Sequence, residues 1–145
     1  MYILDIVIPS GKTDLACSFA IPFSNAHWYA FKAVSETLME LAANKKYLGA
    51  KIGITTVLHT WGQNLNYHPH IHCIVPGGGL NSCNQWIPSR KKFFIPVKVL
   101  SRKFRGKFLK YIYTELLITW LASPVFRKPT CITDIHLFIT INYQN

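Results

Sequence analysis

Acidic residues are scarce in this chain of 145 residues, which has 6 Asp and Glu against 16 Lys and Arg and a formal net charge of +10. No acid occurs between Glu40 and Glu115, although twelve of the basic residues lie in that interval. Such a surface suits a polyanionic partner, because each phosphate that a cation neutralises releases counterions. A basic surface kept only for solubility is the alternative, and the charge distribution favours nucleic acid over it.

Metal-binding cysteine pairs and long apolar runs are also missing. The four cysteines are widely spaced, with no Cys-x-x-Cys, which excludes a zinc ribbon or a small disulfide scaffold and suits a reducing compartment. The apolar stretch 111–122 is too short to span a membrane and contains Glu115. The apolar N-terminus contains Asp5 and has no basic flank, so it resembles a strand more than a signal peptide. We therefore expect a cytoplasmic protein without a membrane segment.

Half of the residues are hydrophobic, which excludes a disordered chain and allows one domain with a core of its own. Apolar periodicity and turn residues predict strands at 2–8, 51–60 and 70–75 and helices from 24 or 25 to about 46 and from 98 to before Ser123. The second and third strands are close enough in sequence to form an antiparallel hairpin. The expected class is α/β (α+β), with helices packed on an antiparallel sheet. Residues 132–145 fit either a short strand or a disordered tail.

Four of the six histidines lie between residues 59 and 72. Alternate side chains of a strand share a face, so His70 and His72 point the same way and Cys73 points into the opposite, buried side. Two imidazoles on one rigid face provide half of a metal site. His59, in the neighbouring strand, is the candidate third ligand, and His68 is the alternative.

No carboxylate lies near these histidines in the sequence, so such a site is neutral and substrate phosphates would supply the negative charge. A divalent cation held there would polarise a phosphodiester, and a tyrosine hydroxyl is the candidate nucleophile. The glycines at 77–79 suit either a close approach of a nucleic-acid backbone or a flexible loop. A phosphate loop is excluded, because no Gly-Lys-Ser/Thr follows.

Basic residues in two segments are candidates for contacts with DNA. Aromatic residues interleave with the first segment and would stack on unpaired bases or belong to the core. The basic candidates are Arg90, Lys91, Lys92, Lys98, Arg102, Lys103, Arg105, Lys107 and Lys110. The last six surround the apolar arc of the second predicted helix, and no acid lies beside them in the sequence.

Five blocks between about residues 31 and 109 carry a family resemblance. They are Leu48-Gly-Ala-Lys-Ile-Gly53, Val57-Leu-His-Thr-Trp-Gly-Gln-Asn64, His68-Pro-His-Ile-His-Cys73, Val75-Pro-Gly-Gly-Gly-Leu80 and Val99-Leu-Ser-Arg-Lys-Phe-Arg-Gly-Lys-Phe108. In this order they resemble rolling-circle insertion-sequence transposases, the two-tyrosine branch of the His-hydrophobic-His (HUH) endonucleases.

The resemblance implies a HUH endonuclease fold, a Mg²⁺ or Mn²⁺ ion and nicking of the single-stranded ends of a mobile element through a 5′-phosphotyrosine. His70 and His72 match the HUH pair. His59 stands eleven residues before the pair, where the related conjugative relaxases carry a third ligand.

The chain departs from the family pattern at the nucleophile. The family has two catalytic tyrosines four residues apart, whereas Tyr111 and Tyr113 are two apart and Tyr143 stands alone. A cysteine-rich zinc-binding segment, common in the family, is also absent. We therefore predict a single partial transposase domain over 1–145, truncated or frameshifted, with 110–145 unassigned, that binds DNA and a metal ion but does not nick. Tyr143 is the one candidate stand-in.

Two other functions compete with this prediction. One is a metal-independent DNA-binding module or regulator derived from the element, and the other is a metal-dependent hydrolase of small substrates. The basic interval and the family blocks disfavour the hydrolase. Target sequence and oligomeric state stay open at the level of sequence.

Overall fold

The computed structural model describes residues 1–7, 23–61, 67–89, 95–122 and 141–144. Its elements in chain order are β1 (Tyr2–Val7), α1 (Phe23–Ala43), β2 (Thr55–Trp61), β3 (Tyr67–Val75), β4 (Gly78–Leu80), β5 (Trp86–Pro88), α2 (Val97–Ala122) and β6 (Ile141–Gln144). The predicted α+β class is confirmed. Within the described ranges, neither helix is long and apolar enough to cross a membrane.

A four-stranded sheet with the order β2-β3-β1-β6 forms the centre of the fold. All three strand pairs are antiparallel, and β2 and β3 form the predicted hairpin. Strand β1 therefore lies between β3 and β6, two strands that come from distant parts of the chain. The C-terminal stretch, left open between a strand and a tail, contains strand β6.

Both helices pack on one face of this sheet. The face carries Leu4, Ile71 and Cys73, all fully buried in the hydrophobic core. The apolar arc predicted for α2 is confirmed, since its members at four-residue spacing are all buried: Leu100, Phe104, Phe108, Ile112 and Leu116. Burial raises the pKa of the Cys73 thiol to about 12, so this thiol is a core group and not a nucleophile. Because side chains alternate along β3, the histidines project from the opposite face.

Helix α1 ends at Ala43, three residues before the predicted end at Lys46. A compact turn replaces the missing helical residues. The Asn44 side-chain oxygen accepts a hydrogen bond from the Lys46 amide, and the Ala42 carbonyl accepts one from Gly49. Gly49 has a φ of +74°, a left-handed conformation that glycine adopts without strain. Asn44 thus redirects the backbone before the predicted stop at Gly49 is reached.

The glycine run has a structural use that differs from both expected ones. A Cβ atom at Gly78 would overlap the carbonyl oxygen of Ile87, and a Cβ atom at Gly79 would overlap the carbonyl oxygen of Lys51. These glycines let β4 pair with β5 on one side and bridge to Lys51 on the other. Lys51, the predicted start of the second strand, instead forms this isolated bridge to Leu80, and β2 begins at Thr55. The run is packed against the protein's own backbone.

Candidate metal centre

Three histidines converge on the sheet face that the helices leave uncovered. His59 of β2 lies directly opposite His70 of β3, and His72 follows two residues later on the same face. The His59 Nδ1 and His70 Nε2 atoms are 3.2 Å apart. Ring centroids are 4.9 Å apart for His59 and His70, 4.6 Å for His70 and His72, and 5.9 Å for His59 and His72. The predicted grouping of these three residues is therefore present.

The three side chains can offer one nitrogen each, and these nitrogens lie within 4.8 Å of one another. Two nitrogens bound to one ion at ~2.1 Å lie about 3 Å apart, close to the His59–His70 separation. His70 is buried, His72 is half-buried and His59 is exposed. A cation held by this triad would thus be anchored on the sheet side and accessible from the His59 side. In the described part of the chain, no other cluster of three or more His, Cys, Asp or Glu has such spacing.

A carboxylate stands beside the triad, which corrects the expectation of a purely histidine site. Asp5 of β1 is the register partner of His72, and its Oδ1 lies 3.7 Å from the His72 Nδ1. This oxygen is buried and has no hydrogen-bond partner among the described residues. Sequence reasoning missed Asp5 because it lies far from the histidines along the chain, and only the β1–β3 pairing joins them. A lone acid inside an apolar strand was the available signal.

The other candidate site residues are less completely described. The backbone of His68 belongs to β3, and Tyr143 belongs to β6, where it is the register partner of Leu4 of β1. The side chains of His68 and Tyr143 lie outside the described part. Arg90, Lys91 and Lys92 also lie outside it.

Tyr111 belongs to the helical layer. Its hydroxyl donates to Glu36 Oε2 at 2.5 Å, and its ring stacks on Tyr29 with centroids 5.8 Å apart. Since the helices cover the face opposite the triad, Tyr111 is not aimed at the candidate metal centre.

Two lysines of α2 contact glutamates of α1, which corrects the expectation of a basic helix without acids. Lys107 Nζ lies 3.2 Å from both Glu36 Oε2 and Glu40 Oε2, and Lys103 pairs with Glu40 Oε1. The hydrogen bond from Tyr111, followed by that from Lys107, holds the pKa of Glu36 below its ordinary value. Lys103 and Lys107 are therefore partly neutralised within the fold.

The remaining cations of α2 form a separate surface. Lys98, Arg102 and Arg105 follow at spacings of four and three, which places them on one side of the helix, and all three are exposed. We call these three residues the basic stripe. None of them, nor the exposed Lys110, has an acidic partner among the described residues. The stripe and the histidine triad lie on opposite sides of the sheet, because α2 packs on the Ile71 face.

This chain is similar in sequence to proteins described as transposases. A family model described as "Putative transposase" matches residues 53–136. The chain is 55% identical to "Putative transposase y4qJ" of Sinorhizobium fredii over 83 residues, 57% of this chain and 21% of that protein. It is 41% identical to "Transposase for insertion sequence element IS801" of Pseudomonas savastanoi pv. phaseolicola over 104 residues, 68% of this chain and 24% of that protein. The chain thus spans about a fifth to a quarter of the length of these curated relatives. No solved structure matches it.

Proposed function

The chain belongs to the "Putative transposase" family, and we propose that it supplies the metal-binding and DNA-contacting part of a transposase that acts on single-stranded ends of a mobile element. Family membership supports a role in DNA transposition. The observation that carries the finer proposal is the convergence of His59, His70 and His72, all of which fall inside the matched segment.

The triad would hold Mg²⁺ or Mn²⁺. Such an ion, when bound, would polarise a phosphodiester and stabilise the charge that develops during strand cleavage. The protein contributes the positioning: β2 and β3 are hydrogen-bonded neighbours, so the His59 and His70 rings keep their relative places. The exposed side of His59 leaves room for phosphate oxygens to complete the coordination.

The basic surface would attract the DNA. With a net charge of +10, the chain favours phosphate contacts, and the stripe offers three cations that no described acid neutralises. The exposed Trp86 of β5 is a candidate for base stacking. Because the stripe and the triad lie on opposite sides of the sheet, we assign them to different segments of the bound DNA.

The chain as it stands is proposed to position a phosphodiester without attacking it. Its seven tyrosines include no pair four residues apart, and the Tyr111 hydroxyl is engaged by Glu36 in the helical layer. Covalent catalysis requires a nucleophile aimed at phosphorus, so metal binding and DNA binding are separable from strand cleavage here.

Metal-dependent DNA binding tests the proposal. Fluorescence anisotropy of a labelled single-stranded oligonucleotide should show tighter binding with Mn²⁺ for the native chain, and no effect of Mn²⁺ for His70→Ala. His27→Ala, which removes a histidine of α1 outside the triad, is the matched control and should behave like the native chain. Affinity that is the same with and without Mn²⁺ in every variant would instead support a metal-independent DNA-binding module. Equal binding of Mn²⁺ itself by the native chain and His70→Ala would contradict the ligand assignment.

A further inference from the structure

We infer that Asp5 is a positioning residue for the candidate metal centre: a small movement of the His72 ring lets Nδ1 donate a hydrogen bond to the Asp5 carboxylate, which leaves Nε2 as the ligand nitrogen. The inference rests on the proposed metal-binding function of the triad and adds a fourth side chain to it. Asp5 belongs to β1, outside the matched family segment and outside the blocks that carry the family resemblance.

The sheet places Asp5 and His72 side by side. They are direct register partners in the antiparallel β1–β3 pair, so both side chains project from the same face. The Oδ1 atom lies 3.7 Å from Nδ1, within ion-pair range and a small ring movement away from a hydrogen bond. The Asp5 side chain is 22% exposed and the His72 side chain is 39% exposed, so the contact is partly shielded from water.

The carboxylate oxygen needs this partner. Asp5 Oδ1 is buried and accepts no hydrogen bond from any described residue. An unsatisfied buried acceptor on a charged group costs more free energy than one on a neutral group. His72 Nδ1 lies within ion-pair distance of this oxygen. A hydrogen bond from Nδ1 would remove that cost.

This contact selects one form of the imidazole. A neutral histidine carries its proton on either Nδ1 or Nε2, and the hydrogen bond made by one nitrogen decides which nitrogen is free to bind a metal. A carboxylate beside Nδ1 stabilises the Nδ1–H form, so the lone pair is on Nε2. In metal sites where a carboxylate accepts a hydrogen bond from a histidine, the same arrangement makes the other ring nitrogen a more basic metal ligand.

Asp5 acts through His72 and not as a ligand itself. The group whose ligand atoms come within 4.8 Å of one another contains the three histidines and does not contain Asp5. The carboxylate therefore stands behind one ligand, where its negative charge offsets part of the charge of a cation among three neutral donors.

Two measurements on the full chain test the inference. Long-range ¹H–¹⁵N spectra of the metal-free protein, with its histidines neutral, report the tautomer of His72, and Mn²⁺ calorimetry reports affinity. Asp5→Ala removes the acceptor, and Asp5→Asn keeps an acceptor oxygen without the charge. Glu40→Gln changes the net charge equally, away from the triad, and is the matched control. Unchanged His59 and His70 signals show that each variant keeps its sheet.

We expect the Nδ1–H form of His72 in the native chain and in Asp5→Asn, and a mixture of both forms in Asp5→Ala. Mn²⁺ affinity should fall about 10- to 100-fold in Asp5→Ala, less in Asp5→Asn and not in Glu40→Gln. An Nε2–H form of His72 in the native chain, or native affinity in Asp5→Ala, would overturn the inference. If the native chain bound no Mn²⁺ at all, the proposed metal function would fail, while the tautomer of His72 would still decide the role of Asp5.

Discussion

His59 and His70 face each other across the β2–β3 hairpin, with His59 Nδ1 and His70 Nε2 3.2 Å apart. The register of this hairpin makes these two residues, which are eleven apart in the sequence, direct partners across the two strands. The register shifts between His59 and Trp61, immediately beyond the pair. Such an irregularity changes the local twist of a strand and is frequent next to functional sites. The regular pairing of the histidines therefore stops at the edge of the candidate metal centre.

The three histidines should contribute unequally to metal binding. His70 lies between the other two rings and is buried, whereas His59 is exposed at the edge of the triad. We expect His70→Ala to weaken Mn²⁺ binding by more than the ~100-fold that loss of a supporting partner can cost. His59→Ala should weaken it less. Calorimetry on both variants checks this order, and a larger loss for His59→Ala would contradict it.

The basic stripe should carry salt-dependent DNA binding. Arg102→Ala combined with Arg105→Ala removes two exposed cations of the stripe. The dependence of log K on log[salt] for single-stranded DNA should become shallower by about 1.4, since each lost phosphate contact accounts for ~0.7. Lys45→Ala combined with Lys46→Ala removes the same charge at exposed positions after α1 and is the control. An unchanged affinity and slope in the arginine variant would mean that the stripe does not contact the DNA.

The purified chain should form no covalent adduct with DNA. Incubation of a labelled oligonucleotide that covers the element's end with Mn²⁺ and the chain, followed by denaturing electrophoresis, detects either a nick or an adduct. The expected result is neither, because no tyrosine pair of the family type is present. An adduct that disappears in Tyr143→Phe would show that Tyr143 is a nucleophile and would refute the proposed inactivity.

Replacing two glycines by alanine should distinguish a closely packed position, Gly79, from an open one, Gly106. Gly79→Ala should destabilise the fold by about 1–3 kcal/mol, because the new Cβ meets the Lys51 carbonyl and lies 3.0 Å from Ile52 Cγ2. Gly106→Ala should stabilise it by about 0.5–1 kcal/mol, since Gly106 lies in α2 with nothing within 4 Å of a Cβ. Urea denaturation measures both. Equal effects of the two substitutions would contradict the close approach at Gly79.

The free energy of unfolding should depend on pH through the ionisation of Glu36. The pKa of Glu36 is lowered from 4.5 by the hydrogen bond from Tyr111 and by Lys107. Because the folded-state pKa is below the unfolded one, this stabilisation is complete above pH 4.5 and is lost as the pH falls through the lowered pKa.

Tyr111→Phe removes the largest cause of the shift. It should therefore lower the free energy of unfolding by about 1 kcal/mol at pH 7, and by less at the lowest pH at which the chain stays folded. Urea denaturation at both pH values measures the difference. The same loss at both would show that the phenol stabilises the fold independently of the Glu36 charge.

Local periodicity determines much of the fold without reference to any tertiary contact. The two-residue period of a strand puts His70 and His72 on one face and Cys73 on the other, and the helical period of α2 selects the residues that are buried. The short connection between β2 and β3 restricts them to a hairpin, which brings His59 to the pair. These features depend on neighbours in sequence, so the sequence alone predicts them.

Tertiary structure decided the features that join distant segments. Asp5 reaches His72 only because β1 lies next to β3 in the order β2-β3-β1-β6, and Glu36 and Glu40 reach α2 only because the two helices pack side by side. No local period specifies which distant strand or helix becomes a neighbour, since that choice depends on how the whole core is buried. The fold therefore decides which charged groups surround a histidine or a lysine, even where the histidine or lysine itself can be identified from the sequence.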